Sequence, residues 1–140
     1  MNNFIFLRNR SFEVATANLH YCGGIWSLEI EAKPQEFDGE LWTPRLYHQG
    51  FNMHAHTAEE LQGMSTSWEH KTDASYPHPE LGLLYVFGHH DVYDATLSFG
   101  RLHERLLEVS WSGLCDVFWD GDYMTRVPFR SECRACCSAF

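Results

Sequence analysis

Two histidines and a glutamate near the middle of the chain have the types and spacing of a metal site. His54 and His56 are two residues apart, and Glu60 follows four residues after His56. Alternate residues of a strand share one face, so a strand here would present both imidazoles to one ion. His89 or His90, on a later predicted strand, is a candidate fourth ligand. The pattern would suit Fe, Mn, Ni or Zn.

This spacing resembles the first motif of the cupins, which are all-β proteins of about this size. The resemblance implies a metal-dependent enzyme that uses His54, His56, Glu60 and His89. The surrounding glycines depart from the family pattern. Gly50 is too close to His54, and Pro79-Glu80-Leu81-Gly82 misses the spacing of the second motif.

The same segment also has the pattern of a helix start. Thr57 can accept a hydrogen bond from the helix backbone while Glu60 reaches back, which is a capping box, and Gly63 would end the helix. The pattern predicts one short helix over 57–63. Glu60 would then be committed to the backbone, and the two histidines would be surface or edge-strand residues. We favour this second interpretation and expect no cofactor, with the metal site as the alternative.

A second region combines aspartates with bulky aromatic residues between positions 107 and 123. Asp116, Asp120 and Asp122 lie close to glycines, where aspartate is commonly a turn former. Together with Tyr123 they could also form an acidic rim around an aromatic patch. That composition is typical of a surface that binds a basic protein.

The charge balance supports a protein partner more than a nucleic acid. The chain has 10 basic and 19 acidic residues, a net charge of -9 with neutral histidines. Nucleic acid phosphates would repel such a protein, whereas a basic protein would be attracted to it. A simpler interpretation is that the negative charge only maintains solubility.

The second half of the chain resembles the small cytosolic immunity proteins of bacteria. The resemblance lies in Leu106 to Gly113, Cys115 to Asp120, Tyr123 and Val127-Pro128-Phe129. These proteins accompany secreted polymorphic toxins or type VI secretion effectors and neutralise them by binding. The resemblance implies an acidic, all-β or α/β inhibitor that covers the active site of a cognate toxin, for example a nuclease. The candidate contact residues are Asp116, Asp120, Asp122, Tyr123, Glu69 and Asp73.

Motifs of nucleophilic and phosphoryl-transfer enzymes are missing from the sequence. It contains no G-x-S-x-G, no H-E-x-x-H and no P-loop. We therefore lean away from an enzyme and towards a binding protein.

The chain has five cysteines, and three of them form a cluster near its end. Cys133 and Cys136 make a C-x-x-C pair next to Cys137, but a structural zinc site needs about four ligands and there is no second pair. We expect these residues to form an exposed tail, with a metal or redox role as the alternative.

Period-two patterns dominate the rest of the chain. Trp26, Leu28, Ile30 and Ala32 alternate with polar residues, which predicts a half-buried antiparallel strand. Residues 63–79 are polar and predict a long connection. Asp120-Gly121 is a hairpin turn signal. Other predicted strands, several bounded by Gly88, Gly100, Gly113 and Gly121, are 4–7, 12–21, 41–48, 51–56, 83–88, 93–99, 106–111, 116–119 and 123–129.

These elements predict one domain over residues 1–140. The expected fold is mainly β, an antiparallel β-sandwich or open barrel with one short helix. No apolar run approaches the roughly 20 residues of a membrane-spanning helix, and the first residues lack the pattern of a signal peptide. We therefore expect a cytoplasmic protein that does not enter a membrane, and the sequence leaves its oligomeric state open.

Overall fold

The computed structural model describes residues 3–37, 39–51, 53–68, 82–85, 89–119 and 122–137. Strands dominate this part of the chain, and a single helical turn accompanies them, so the predicted mainly β fold with one short helix is confirmed. In chain order the elements are β1 (Phe4–Leu7), β2 (Arg10–Cys22), β3 (Ile25–Ala32), β4 (Gln35–Phe37), β5 (Glu40–Trp42), β6 (Arg45–Phe51), α1 (Ala58–Leu61), β7 (Ser65–Trp68), β8 (Gly82–Tyr85), β9 (His89–His103), β10 (Leu106–Trp119) and β11 (Asp122–Cys137).

Eight of these described strands close into an antiparallel barrel. The order around the barrel is β1-β2-β3-β6-β8-β9-β10-β11, and β11 pairs back onto β1. Strand β7 adds to β9 outside this ring, while β4 and β5 form a separate hairpin. An eight-stranded barrel has an interior that side chains can fill.

The interior is packed because buried and exposed residues alternate along the strands. On β3 the predicted inward face is confirmed: Trp26, Leu28, Ile30 and Ala32 are all buried. The buried Trp111 ring lies directly against Gly82, where an added Cβ would come within 2.5 Å of it. Gly82 therefore leaves room for the largest kind of side chain inside the barrel.

Two glycines predicted to bound strands lie inside long ones instead. Gly100 belongs to β9 and Gly113 to β10. A Cβ at Gly113 would lie 2.6 Å from Cβ of Ala95, and one at Gly100 would lie 2.6 Å from Oε1 of Glu108. The prediction of strand ends was wrong here, because these glycines lie within strands and allow a residue of the neighbouring strand to come close to their backbone.

The segment that carries His54 and His56 is not a strand. Strand β6 ends at Phe51, and both histidines lie in bends before α1. The predicted helix cap is confirmed, since the Oγ1 atom of Thr57 accepts a hydrogen bond from the Glu60 N–H at 3.3 Å. Gly63, with a φ of 78°, follows the helix.

The helical turn lies against the end of the barrel. Ala58 and Leu61 are buried, and the Trp26 indole N–H donates to the Ala55 carbonyl at 3.0 Å. The polar connection predicted over 63–79 contains strand β7, and its residues 69–79 lie outside the described residues.

The antiparallel arrangement gives the barrel two ends. We call one the helix end, formed by α1, the turn between β9 and β10, and the end of β11. We call the other the hairpin end, formed by residues 91–94, 115–119 and 122–126. In the part of the chain that the structure describes, no helix is long and apolar enough to cross a membrane.

Candidate functional site

An exposed pair of aromatic residues marks the hairpin end. Phe118 and Tyr123 are direct cross-strand neighbours on β10 and β11, and they are 45% and 63% exposed. Asp122, next to Tyr123, is also exposed. Large apolar side chains that stay in solvent side by side are typical of an interaction surface.

The hairpin itself agrees with the turn signal in the sequence. Trp119 pairs with Asp122, so two residues separate the strands, as expected for a tight hairpin. Asp120 is one of these two residues and lies outside the described part of the chain, as do Glu69 and Asp73. Their assignment as partner contacts therefore stays a prediction.

Asp116 faces the protein more than the solvent. Its Oδ1 atom accepts a hydrogen bond from the Tyr93 hydroxyl at 2.6 Å and another from the Arg126 backbone N–H at 3.0 Å. The Arg126 N–H also donates to the Tyr93 hydroxyl oxygen at 3.2 Å. Asp116 is thus an anchor that joins β9, β10 and β11.

Two tyrosines near this anchor have pKa values above the ordinary value of a phenol. Burial raises the pKa of Tyr93 to about 12, and its hydrogen bond to Asp116 acts in the same direction. Desolvation raises the pKa of Tyr123, and the charge of Asp116 and a hydrogen bond to it raise that pKa further. Both phenols are therefore neutral donors that complement a carboxylate at neutral pH.

The backbone around the anchor is irregular on three adjacent strands. The pairing register shifts between Ser112 and Leu114 against β9, and between Cys115 and Val117 against β11. Opposite these shifts, Asp94 and Arg126 adopt φ values of 47° and 55°. This left-handed conformation costs roughly 1–2 kcal/mol for residues other than glycine, and such residues cluster at functional sites.

An ion pair and the anchor hold these strained residues in place. Nη1 of Arg126 lies 3.9 Å from Oδ2 of Asp94, and the Arg126 N–H is bound as described above. Bulges of this kind turn side chains away from the regular direction of a strand. Asp116, Asp122 and Tyr123, three of the predicted contact residues, lie at this hairpin end, and their role in binding a partner stays a prediction.

Sequence reasoning missed Tyr93, Phe118 and Arg126. Phe118 stands in the aromatic block but had no feature that set it apart from core residues. Tyr93 and Asp116 are 23 positions apart, and only the register of β9 against β10, with its bulge, brings them together. No local pattern reports such a contact.

The alternative metal site has a different geometry from the one expected. His54 and His56 are exposed at the helix end, and the Tyr21 hydroxyl forms a 2.9 Å hydrogen bond with Nδ1 of His56. The described residues contain no group of three or more His, Cys, Asp or Glu side chains that could hold a metal ion. The side chain of His89 lies outside the description, so the metal site stays a prediction.

The cysteine cluster is part of the barrel and not an exposed tail. Strand β11 continues to Cys137, and Cys133 is buried while Cys136 is exposed. Positions three apart on a strand face opposite sides, so this C-x-x-C pair cannot converge on one ion there. Burial raises the pKa of Cys115 and of Cys133 to about 12, which keeps both as unreactive thiols.

Comparisons with known proteins add no assignment to this geometry. No family model, no curated protein and no solved structure matches the chain. The function is therefore inferred from the residues of the hairpin end and their surroundings.

Proposed function

We propose that this protein is a cytoplasmic immunity protein that neutralises a cognate secreted bacterial toxin by binding over its active site. The observation that carries the proposal is the exposed Phe118–Tyr123 pair, which lies beside Asp122 and above the anchored Asp116. Binding of this kind needs no catalytic group on the inhibitor.

The composition of the hairpin end suits a protein interface. Aromatic residues are enriched where protein interfaces bury most surface, and they provide a large share of the residues that dominate binding energy. Phe118 and Tyr123 would fill apolar recesses of the toxin, while Asp122 would meet its basic groups. A nuclease is one suitable target, since its active-site cleft must attract phosphates.

Net charge would assist the encounter. The chain carries a formal charge of -9, so a basic partner would be drawn to it before contact. The anchor around Asp116 fixes the backbone in advance, and a fixed surface loses less conformational entropy on binding.

The proposal is tested by co-expression with candidate toxins, chosen among larger secreted proteins whose genes lie next to the gene for this chain. Growth and co-elution would be measured for wild type, for Phe118→Ala/Tyr123→Ala, and for a control, Ile25→Ala/Leu106→Ala. The control removes two other apolar side chains, 46% and 40% exposed, which lie at the helix end. We expect wild type and control to restore growth and bind, and the hairpin variant to do neither.

Two results would reject the proposal. One is failure of the wild-type chain to bind or to restore growth. The other is a folded Phe118→Ala/Tyr123→Ala variant that protects as well as wild type, which would remove the hairpin end from the interface.

A further inference from the structure

A groove opens at the helix end, on the opposite side of the barrel from the proposed interface. It encloses about 510 Å³ and is lined by Arg101, Leu102, His103, Leu106, Glu108 and Arg134. A volume of several hundred Å³ is typical of sites for small molecules. The lining mixes cationic side chains with two leucines, although the chain as a whole is acidic.

Both arginines of the groove are available for a ligand. Some described cations elsewhere are neutralised locally: Lys33 pairs with Glu13, and Arg45 pairs with Glu29. Neither Arg101 nor Arg134 has an ion-pair partner among residues 3–37, 39–51, 53–68, 82–85, 89–119 and 122–137. Guanidinium groups bind carboxylates and phosphates through paired N–H donors.

Glu108, the acidic residue of the groove, accepts a hydrogen bond from a backbone N–H. Glu108 stands directly opposite Arg134 across β10 and β11, yet its Oε1 atom accepts the Arg101 backbone N–H at 3.0 Å on the other side. Gly100 allows this, since a side chain there would collide with the Glu108 carboxylate. The glutamate thus turns towards β9 and leaves Arg134 without its cross-strand counterion.

The groove also has an apolar wall in a fixed position. Leu106 is 40% exposed, and Leu102 is half-buried. The Leu102 N–H donates to Oε1 of Gln62 at 2.8 Å, which ties this wall to the end of α1. A ligand that fits must therefore offer an anionic head and an apolar segment.

We infer that this groove binds a small anion with an apolar chain, whose head contacts Arg101 and Arg134 and whose chain lies on Leu102 and Leu106. The site is independent of the proposed toxin interface, because it lies at the other end of the barrel. A carboxylate of medium chain length is the simplest molecule with this chemistry.

The experiment follows amide chemical shifts of the full chain during titration with octanoate. Octanol keeps the chain without the charge, and acetate keeps the charge without the chain. We expect saturable shifts at residues 101–108 and 134 with octanoate, and affinity at least about tenfold lower for each control, since a charge-assisted contact and a buried chain each contribute that much.

Two variants test whether Arg101 and Arg134 bind the anionic head of the ligand. Arg101→Gln/Arg134→Gln should lower octanoate affinity by roughly a hundredfold, about tenfold for each arginine removed. Arg130→Gln is the matched control, because Arg130 lies on the same strand but stacks over the Phe4 ring, 5.4 Å from its centre. We expect its octanoate affinity to equal that of wild type.

Three outcomes would overturn the inference. The first is the absence of saturable shifts at residues 101–108 with octanoate. The second is octanol binding as tightly as octanoate, which would remove the role of charge. The third is equal loss of affinity in the Arg130→Gln control and the double variant. The wild-type titration decides the first two even if a variant fails to fold.

Discussion

The two ends of the barrel differ in the side chains that they present to solvent and in the elements that surround them. The hairpin end presents Asp122 beside exposed aromatic rings and rests on strained residues held by hydrogen bonds. The helix end presents Arg101 and Arg134 in a groove beside a capped helical turn. A single closed sheet thus separates the surface that we propose for a basic protein from the groove that we propose for a small anion.

This difference shows why net charge alone describes a protein poorly. A formal charge of -9 suggests a uniformly acidic surface, yet Glu108 turns onto the β9 backbone and leaves a local cationic groove. Local pairing decides which charges remain available to a partner.

The largest expected effect is a loss of folding stability, and it should differ between substitutions at Gly113 and at Gly100. Gly113→Ala would bring a Cβ 2.6 Å from Cβ and 2.8 Å from Cα of Ala95, so the backbone of the bulge must move. We expect a loss of about 3 kcal/mol in the free energy of unfolding. Gly100→Ala collides first with the carboxylate end of Glu108 and should cost about 1 kcal/mol. Urea unfolding of both variants measures the difference, and equal costs would contradict a specially constrained backbone at the bulge between Ser112 and Leu114.

The next effect distinguishes an anchor from a contact residue. Asp116→Ala removes the acceptor of two hydrogen bonds and should lower the free energy of unfolding by about 2 kcal/mol. Asp122→Ala, at an exposed position, should change it by less than about 0.5 kcal/mol. Thermal unfolding compares the two, and similar values for both would mean that Asp116 does not anchor the strands.

The Tyr93 hydroxyl should make stability depend on pH in the alkaline range. Its pKa rises from 10.0 to about 12 in the folded protein, so folding favours the protonated phenol. The resulting stabilisation is complete below pH 10 and is lost as the pH rises from 10 towards 12. Tyr93→Phe should be less stable by about 1 kcal/mol at neutral pH and show a flatter decline. Ultraviolet titration of the phenols, with this variant as reference, would reveal an ordinary pKa if the anchor is absent.

The smallest effect concerns the two histidines at the helix end. His54→Ala/His56→Ala removes exposed side chains and one hydrogen bond to Tyr21, so stability should fall by less than about 1 kcal/mol. We expect wild-type, tag-free protein to contain no stoichiometric metal by plasma mass spectrometry. Near-stoichiometric metal that disappears in the variant would instead favour the cupin-like enzyme.

Residue patterns predicted the elements whose signals are local. The alternation of Trp26, Leu28 and Ile30 identified β3 and its buried face, and Thr57 identified the start of α1. Asp122 and Tyr123 near the hairpin are exposed, and the binding role that the sequence predicts for them stays a prediction.

Features that depend on register between distant strands could not be predicted in this way. Glycine breaks regular structure locally, which predicts strand ends at Gly100 and Gly113, whereas each of them accommodates a residue from a neighbouring strand. The sequence predicts an exposed tail at Cys133 to Cys137, because the sequence of one segment does not show its pairing with other strands. In the structure these residues pair with β10 and β2. The Tyr93–Asp116 contact and the groove around Arg101 depend on the same long-range register.

Amide hydrogen exchange of the chain, alone and in complex with the toxin that we propose it neutralises, tests the central claim most directly. We predict that binding slows exchange at Val117, Phe118, Asp122 and Tyr123 and leaves Arg101 to Glu108 unchanged. Protection confined to the helix end, with unchanged exchange at the hairpin end, would contradict the assignment of the hairpin end as the toxin-binding surface.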